Sequence, residues 1–232
     1  MNPGRVNPVD IGKTMTDSLD YAKDAVWGKW ARWILLIVST IIFPLILGYT
    51  LEVYRGKKPA PEPANWGTLF VDGLKLFVIQ LVYAIPVFIV LLVFVGGGAL
   101  LATRGTPGAI IAGVGSIALG VILTVIVAVI IDFIEAIGIV RFARTGKMGE
   151  AFNWGAILDR IGKIGWGPYL VAIIAVFLVA FIIAIIVSLI PVIGIFLVFI
   201  IAPPLTLFVA RYVTLVYDSV PPEAAPPAAP AP

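Results

Sequence analysis

Cysteine and histidine are both absent from the 232 residues. Their absence removes thiolate and imidazole as nucleophiles, general bases and soft metal ligands, so disulfide, zinc, haem and Cys–His readings fall away. Charge is also scarce, at 12% of residues against about 25% in soluble domains. No basic face is sustained beyond the ends of the apolar runs, so the net charge of +3 does not point to nucleic acid. Residues 1–29 lack the short basic region and apolar core of a cleavable signal peptide, and the first apolar helix is expected to serve as the insertion signal. Neither a metal nor a cofactor is expected, and no catalytic residue stands out.

What the chain has in excess is apolar surface. Hydrophobic residues make up 61%, where soluble domains carry about 45–50%. A globule of this size cannot hide that much, whereas a bilayer takes about 20 apolar residues per spanning helix. Five apolar segments qualify or nearly so: A, 33–54; B, 74–102; C, 107–140; D, 168–190; and E, 192–217. All read as helix, because no alternating barrel pattern exists and backbone groups in lipid must be satisfied within the segment. Pro44, Pro86, Pro191, Pro203 and Pro204 mark expected kinks or breaks. Ahead of them, Ile11, Met15, Leu19, Ala22, Val26, Trp30 and Trp33 recur every three or four positions. This predicts an amphipathic helix in the headgroup layer, anchored by Trp27, Trp30 and Trp33; a partner-binding helix would look the same.

An internal repeat follows. Asn65-Trp66-Gly67 recurs 88 residues later as Asn153-Trp154-Gly155, and the same offset pairs Tyr54 with Phe142 and Lys75 with Lys163. Two copies in the same order suggest parallel repeats. The chain thus divides into an N-terminal amphipathic helix (1–32), a transmembrane domain (33–217, with repeats at about 33–102 and 121–190 and a final helix at 192–217) and a Pro/Ala-rich tail (218–232).

Charge counting addresses topology. If all five segments span, the sixteen Lys and Arg divide six against ten; if segment A turns back at Pro44, fifteen lie on one side and only Arg104 on the other. The positive-inside rule favours the second arrangement. The fold expected is therefore an all-α integral membrane protein with four spans, a proline-broken re-entrant first hairpin hinged at Pro44, and both termini cytoplasmic at the cell membrane. The alternative is five spans.

Asp132 and Glu135 stand three apart on segment C, hence on one helical face. At the membrane edge they are ordinary solvated acids; inside the bilayer they would couple to an ion or proton. Glu52 reads as an interfacial salt-bridge partner of Arg55, and Gln80 and Tyr83 as hydrogen bonders between helices. Gly113, Gly115, Ala118 and Gly120 suit close helix packing, not phosphate binding. In each Asn-Trp-Gly element the asparagine is expected to cap an interfacial helix while the tryptophan anchors it.

The run Gly48-Tyr49-Thr50-Leu51-Glu52-Val53-Tyr54-Arg55-Gly56, continued from Pro61 through Asn65-Trp66-Gly67 and Phe70 to Gly73-Leu74-Lys75, resembles an archaeal multi-pass membrane family known only as domain of unknown function 4013. The resemblance covers about Asp17 to Tyr217. It implies an archaeal cell membrane and no established activity, and it carries over no catalytic residue. The long N-terminal helix and Pro/Ala tail depart from the family pattern. The function expected is a non-enzymatic scaffold or accessory subunit, binding anionic lipid headgroups and a protein partner or a second copy of itself. The rival is a transporter or channel coupled through Asp132 and Glu135.

Overall fold

The computed structural model of the chain describes residues 9–190 and 193–221. The expectations placed on Pro191, on the first residue of the final helix and on the tail from 222 onward lie outside them. Among the described residues there are nine α-helices and no strand: α1 (Ile11–Val26), α2 (Trp30–Ile41), α3 (Phe43–Tyr54), α4 (Trp66–Val90), α5 (Gly97–Ala102), α6 (Pro107–Thr145), α7 (Trp154–Ile164), α8 (Trp166–Ser188) and α9 (Ile193–Tyr217). A π-helical turn, Leu91–Gly96, joins α4 to α5, so that Trp66–Ala102 forms one apolar rod. Four helical stretches are long and apolar enough to cross a bilayer: Trp66–Ala102, α6, α8 and Phe196–Tyr217.

The buried core is gathered at one end of the bundle. Its two hydrophobic clusters draw on α1, α2, α3, α7, α8, α9, the middle of α4 and the last part of α6, including Leu36, Tyr49, Leu76, Ile79, Ile137, Ile161, Tyr169 and Tyr212. Beyond them, α4–α5 and the first half of α6 form a two-helix hairpin held by close approach of small residues. A Cβ at Gly113 would press on the Gly98 carbonyl, and one at Gly120 would overlap Phe94. Gly115, expected in the same role, meets nothing. Only 6% of the apolar window of α6 is buried, against 39% for α9, so the hairpin presents its apolar surface outward, as lipid requires.

Segment A is two twelve-residue helices. The break falls at Ile42, with Pro44 in the first turn of α3 instead of at the apex. A proline costs nothing there, because the first-turn N–H has no intrahelical partner in any case. Arg32, in the first turn of α2, donates to the Ala60 carbonyl at 3.3 Å and to the carboxylate of Glu62, which ties the start of the segment to the loop that follows α3. Pro203 and Pro204 also leave α9 unbroken. Pro204 has no N–H to give the carbonyl four residues back, and the Trp33 indole supplies the missing donor, at 3.0 Å from Ile200 O. In the π turn, Ser116 of α6 donates to the Phe94 carbonyl at 2.8 Å.

Helix α1 is amphipathic, as expected, but its apolar face is already occupied. Tyr21, Ala22, Ala25 and Val26 are buried in the core, with α9 as the helix that α1 packs against most extensively. Lys13, Thr16, Asp20, Lys23 and Asp24 face outward.

Candidate functional site

The polar side chains collect at the core end of the bundle, in three linked groups. The first is built on Arg211, the one charge in the apolar run of α9. Charge in such a setting is expensive unless paired. Arg211 Nε donates to Asp17 Oδ1 of α1 at 2.9 Å, and its guanidinium lies 5.2 Å from the Tyr21 ring. Asp17 Oδ2 accepts from Lys58 at 2.8 Å, tying in the loop after α3. Burial works to raise the Asp17 pKa, but Lys58 and Arg211 outweigh it and hold the carboxyl below its ordinary value. Burial pushes the Tyr21 hydroxyl up to about 12.

The second group surrounds the first Asn-Trp-Gly element. Arg55 Nη2 donates to Asp72 Oδ2 at 2.7 Å, and Lys75 Nζ to Asp72 Oδ1 at 3.1 Å. Glu52 pairs with Arg55, as expected, and also with Lys57. The group depends on the contact of α3 with α4, the most extensive helix pair in the fold. A Cβ at Gly48 would overlap the Leu69 carbonyl and one at Gly73 the Pro44 carbonyl, so the two backbones touch.

The third group surrounds the second element. Arg141 Nη2 donates to Glu150 Oε2 at 2.6 Å, and Asn153 Nδ2 meets the same oxygen at 3.3 Å. The Arg141 hydrogen bond is the main reason that the Glu150 carboxyl is held below its ordinary value. Arg144 donates to Asp218 Oδ2 at 2.7 Å and to the Tyr54 carbonyl at 3.0 Å. Arg160 donates to the carbonyls of Tyr217, Val220 and Pro221 and lies 4.2 Å from the Tyr217 ring. Arg141, Arg144, Arg160, Tyr217 and Asp218 line a cavity of about 500 Å³.

The residues singled out in sequence are distributed unevenly over this frame. Trp27, Trp30 and Trp33 form a ladder, with ring centroids 6.3 Å and 5.6 Å apart. Trp27 and Trp30 are exposed, while Trp33 turns inward to α9. Trp66 and Trp154 are exposed too, and they lie at different parts of α4. Trp154 packs on Tyr83, 5.9 Å between centroids, and Tyr83 is seventeen residues from Trp66, about 25 Å along α4. Asn153 caps α7, its Oδ1 accepting from Ala156 N at 3.3 Å. Asn65 makes no side-chain cap: it takes a left-handed backbone, φ 56°. A Cβ at Gly67 meets nothing, and one at Gly155 only its own Asn153, so neither glycine is required by space.

Asp132 and Glu135 lie farther along α6, away from these networks. Neither has an ion-pair or hydrogen-bond partner among the described residues. Glu135 lies within electrostatic reach of Tyr54 and Tyr83; Asp132 is exposed beside α8.

Sequence reading passed over Arg211, Arg141, Arg160 and Asp17. Arg211 did leave a signal, a lone arginine in an apolar run; the others became legible only with their partners in place. Among the described residues no three acidic side chains gather as metal ligands.

Four apolar spanning-length helices, with the charged side chains drawn to one end, define an all-helical integral membrane protein. The chain belongs to the family described as "Protein of unknown function (DUF4013)", which matches residues 33–192. That match covers most of α2 and all of α3 to α8, including both Asn-Trp-Gly elements and the Gly48–Gly73 contact, and leaves α1 and α9 outside. No curated protein and no solved structure matches the chain.

Proposed function

We propose that the protein is a non-enzymatic membrane scaffold or accessory subunit whose working surface is the polar end of the bundle. One observation carries this reading: the ion pairs that join distant elements close at that end. Asp17–Arg211, Asp17–Lys58, Arg32–Glu62, Arg55–Asp72 and Arg144–Asp218 stitch α1, α2, the loop between α3 and α4, α4, α6 and the end of α9 into one polar cap. Single exposed ion pairs contribute little, but a network that shares carboxylates orders the loops between helices. Such a cap offers a partner protein a rigid face, and its exposed lysines suit anionic headgroups.

By the positive-inside rule the cap is cytoplasmic, Arg104 lying in the turn at the other end of the hairpin, and α2–α3 is a re-entrant pair. Because α9 covers most of the apolar face of α1, Leu19 excepted, a partner meets chiefly its polar face. Photo-crosslinkers at Lys13, Asp20 and Lys23 in cells should each give the same discrete adduct, and crosslinkers at Ile111 and Val114 on the far end of the hairpin should not. No adduct from the cap, with a monomer after gentle extraction, would sink the proposal.

A second reading, cation- or proton-coupled transport, is favoured by the unpartnered Asp132 and Glu135. It requires a flux in liposomes that Asp132→Asn abolishes.

A further inference from the structure

Between α6 and α8 a cavity of about 390 Å³ opens on the side of the bundle, within the range of small-molecule sites. Its lining is apolar with one exception. Ile174, Phe177 and Phe181 contribute from α8, and Phe133 and Asp132 from α6. Ile174, Phe177 and Phe181 are also exposed on the outer face of α8, and the exposed apolar face of α6 runs up to Ile130, so the mouth faces the lipid side. Ile174 and Phe177 are eight and eleven residues into α8, about 12 and 17 Å from Trp166.

The carboxylate of Asp132 has no partner among the described residues. Glu135, one turn on, is a second acid, and the groups it lies near, Tyr54 and Tyr83, are not cations. The first arginine along the helix, Arg141, is nine residues away, about 13 Å, and is engaged by Glu150. A carboxylate at an apolar, lipid-facing wall is costly. What would offset that cost is a positive charge that arrives with its own apolar body. Phenyl faces attract the same species through cation–π contact. A neutral amphiphile leaves the acid unpaired, and an anionic one is repelled.

We propose that this cavity binds a hydrophobic cation, an ammonium or phosphonium centre carrying apolar substituents, which enters from the bilayer and sets its charge against Asp132 between the rings of Phe133, Phe177 and Phe181. The same chemistry is offered by an amine-headed lipid and by a free hydrophobic cation. The site is independent of the scaffold reading, since it lies outside the polar cap.

The probe is radiolabelled tetraphenylphosphonium, binding at equilibrium to the full chain in dodecyl maltoside. Saturable binding at one site per chain is expected. Asp132→Asn should weaken it at least about tenfold, roughly 1.4 kcal/mol. Asp132→Glu should largely retain it, and Phe177→Leu should weaken it about threefold. Glu135→Gln should change it by less than Asp132→Asn does. If the asparagine variant does not elute as a folded species, Ile174→Trp, which fills the cavity without touching the acid, must abolish binding. Displacement by phosphatidylethanolamine but not by diacylglycerol assigns the site to a lipid amine; displacement by neither assigns it to a free cation. Absence of saturable binding to the unmodified chain, or unchanged affinity in a folded Asp132→Asn or Ile174→Trp variant, overturns the proposal.

Discussion

The two Asn-Trp-Gly elements share a sequence signature and differ in what holds them. In the first, α3 and α4 meet backbone to backbone through Gly48 and Gly73, and Asn65 turns the chain through a left-handed residue into one long helix. In the second, the asparagine is an ordinary N-cap. The helix it starts ends at Gly165, φ 95°, and α8 begins anew. At the 88-residue offset Gly73 corresponds to Ile161, which is fully buried in the core, and Asp72 to Arg160. The first element is therefore stabilised by the absence of side chains and by a carboxylate between two cations. The second is stabilised by a filled core and by an arginine that gathers carbonyls from the end of α9. A motif of three residues is compatible with both, because its own contacts are local.

The difference can be broken at several points. Gly73→Ala should have the largest effect, about 3 kcal/mol or more, because the added methyl meets a carbonyl that cannot move aside without separating α3 from α4. Thermal unfolding in detergent should show it, and Gly67→Ala, whose Cβ meets nothing, should serve as the silent control. Next comes Arg160→Ala, expected to cost about 2 kcal/mol, since it strands the carbonyls of Tyr217 and Val220 at a buried site. Hydrogen exchange should rise at residues 217–221 and not at the first element.

Asn153→Ala removes a cap and should cost about 1 kcal/mol, read as fraying of α7. Acidification should act on the second element by a similar route. The folded pKa of Glu150 is below its ordinary 4.5, so its contribution is fully present above about that pH and is lost as pH falls through the lowered value. Protection from exchange at 148–152, taken relative to the intrinsic amide rate at each pH, should fall on going from pH 7 to pH 3, and Arg141→Gln should abolish that dependence. The smallest change belongs to Asn65→Gly, within about 0.5 kcal/mol of zero, because a left-handed residue with no cap bond loses nothing by becoming glycine. A loss of 1 kcal/mol or more there would mean that the asparagine side chain has a role in the first element after all.

Much of the fold was legible because lipid imposes a strong rule. Apolar segments B, C, D and E reappear as the four spanning-length helices, and segment A as a broken pair. The position of its break was misplaced by two residues, since proline advertises a break yet sits comfortably just after one. The prolines of α9 were misread for a different reason: the donor that replaces the missing N–H of Pro204 is Trp33, 167 positions from the Ile200 carbonyl it serves. The amphipathic face of α1 was visible as periodicity, whereas its occupant was not, because α9 and a lipid surface present the same apolar chemistry. Of the candidate residues, Asp132 and Glu135 were found by spacing alone. Their separation into one acid at a lateral cavity and one beside two tyrosines was not, because helical spacing says which residues share a face and leaves open what that face meets.

What the sequence determined by itself is the solvent: with 61% hydrophobic and 12% charged residues, only a bilayer can take up this surface, and within it only helices satisfy their own backbone. What the tertiary structure alone decided is the pairing of the rare charges and the placement of the rare gaps. Asp17 meets Arg211 across 194 positions, and Gly48 meets the backbone of Leu69. Those encounters depend on how helices cross and turn, and no periodicity within one segment records its neighbour's angle or register.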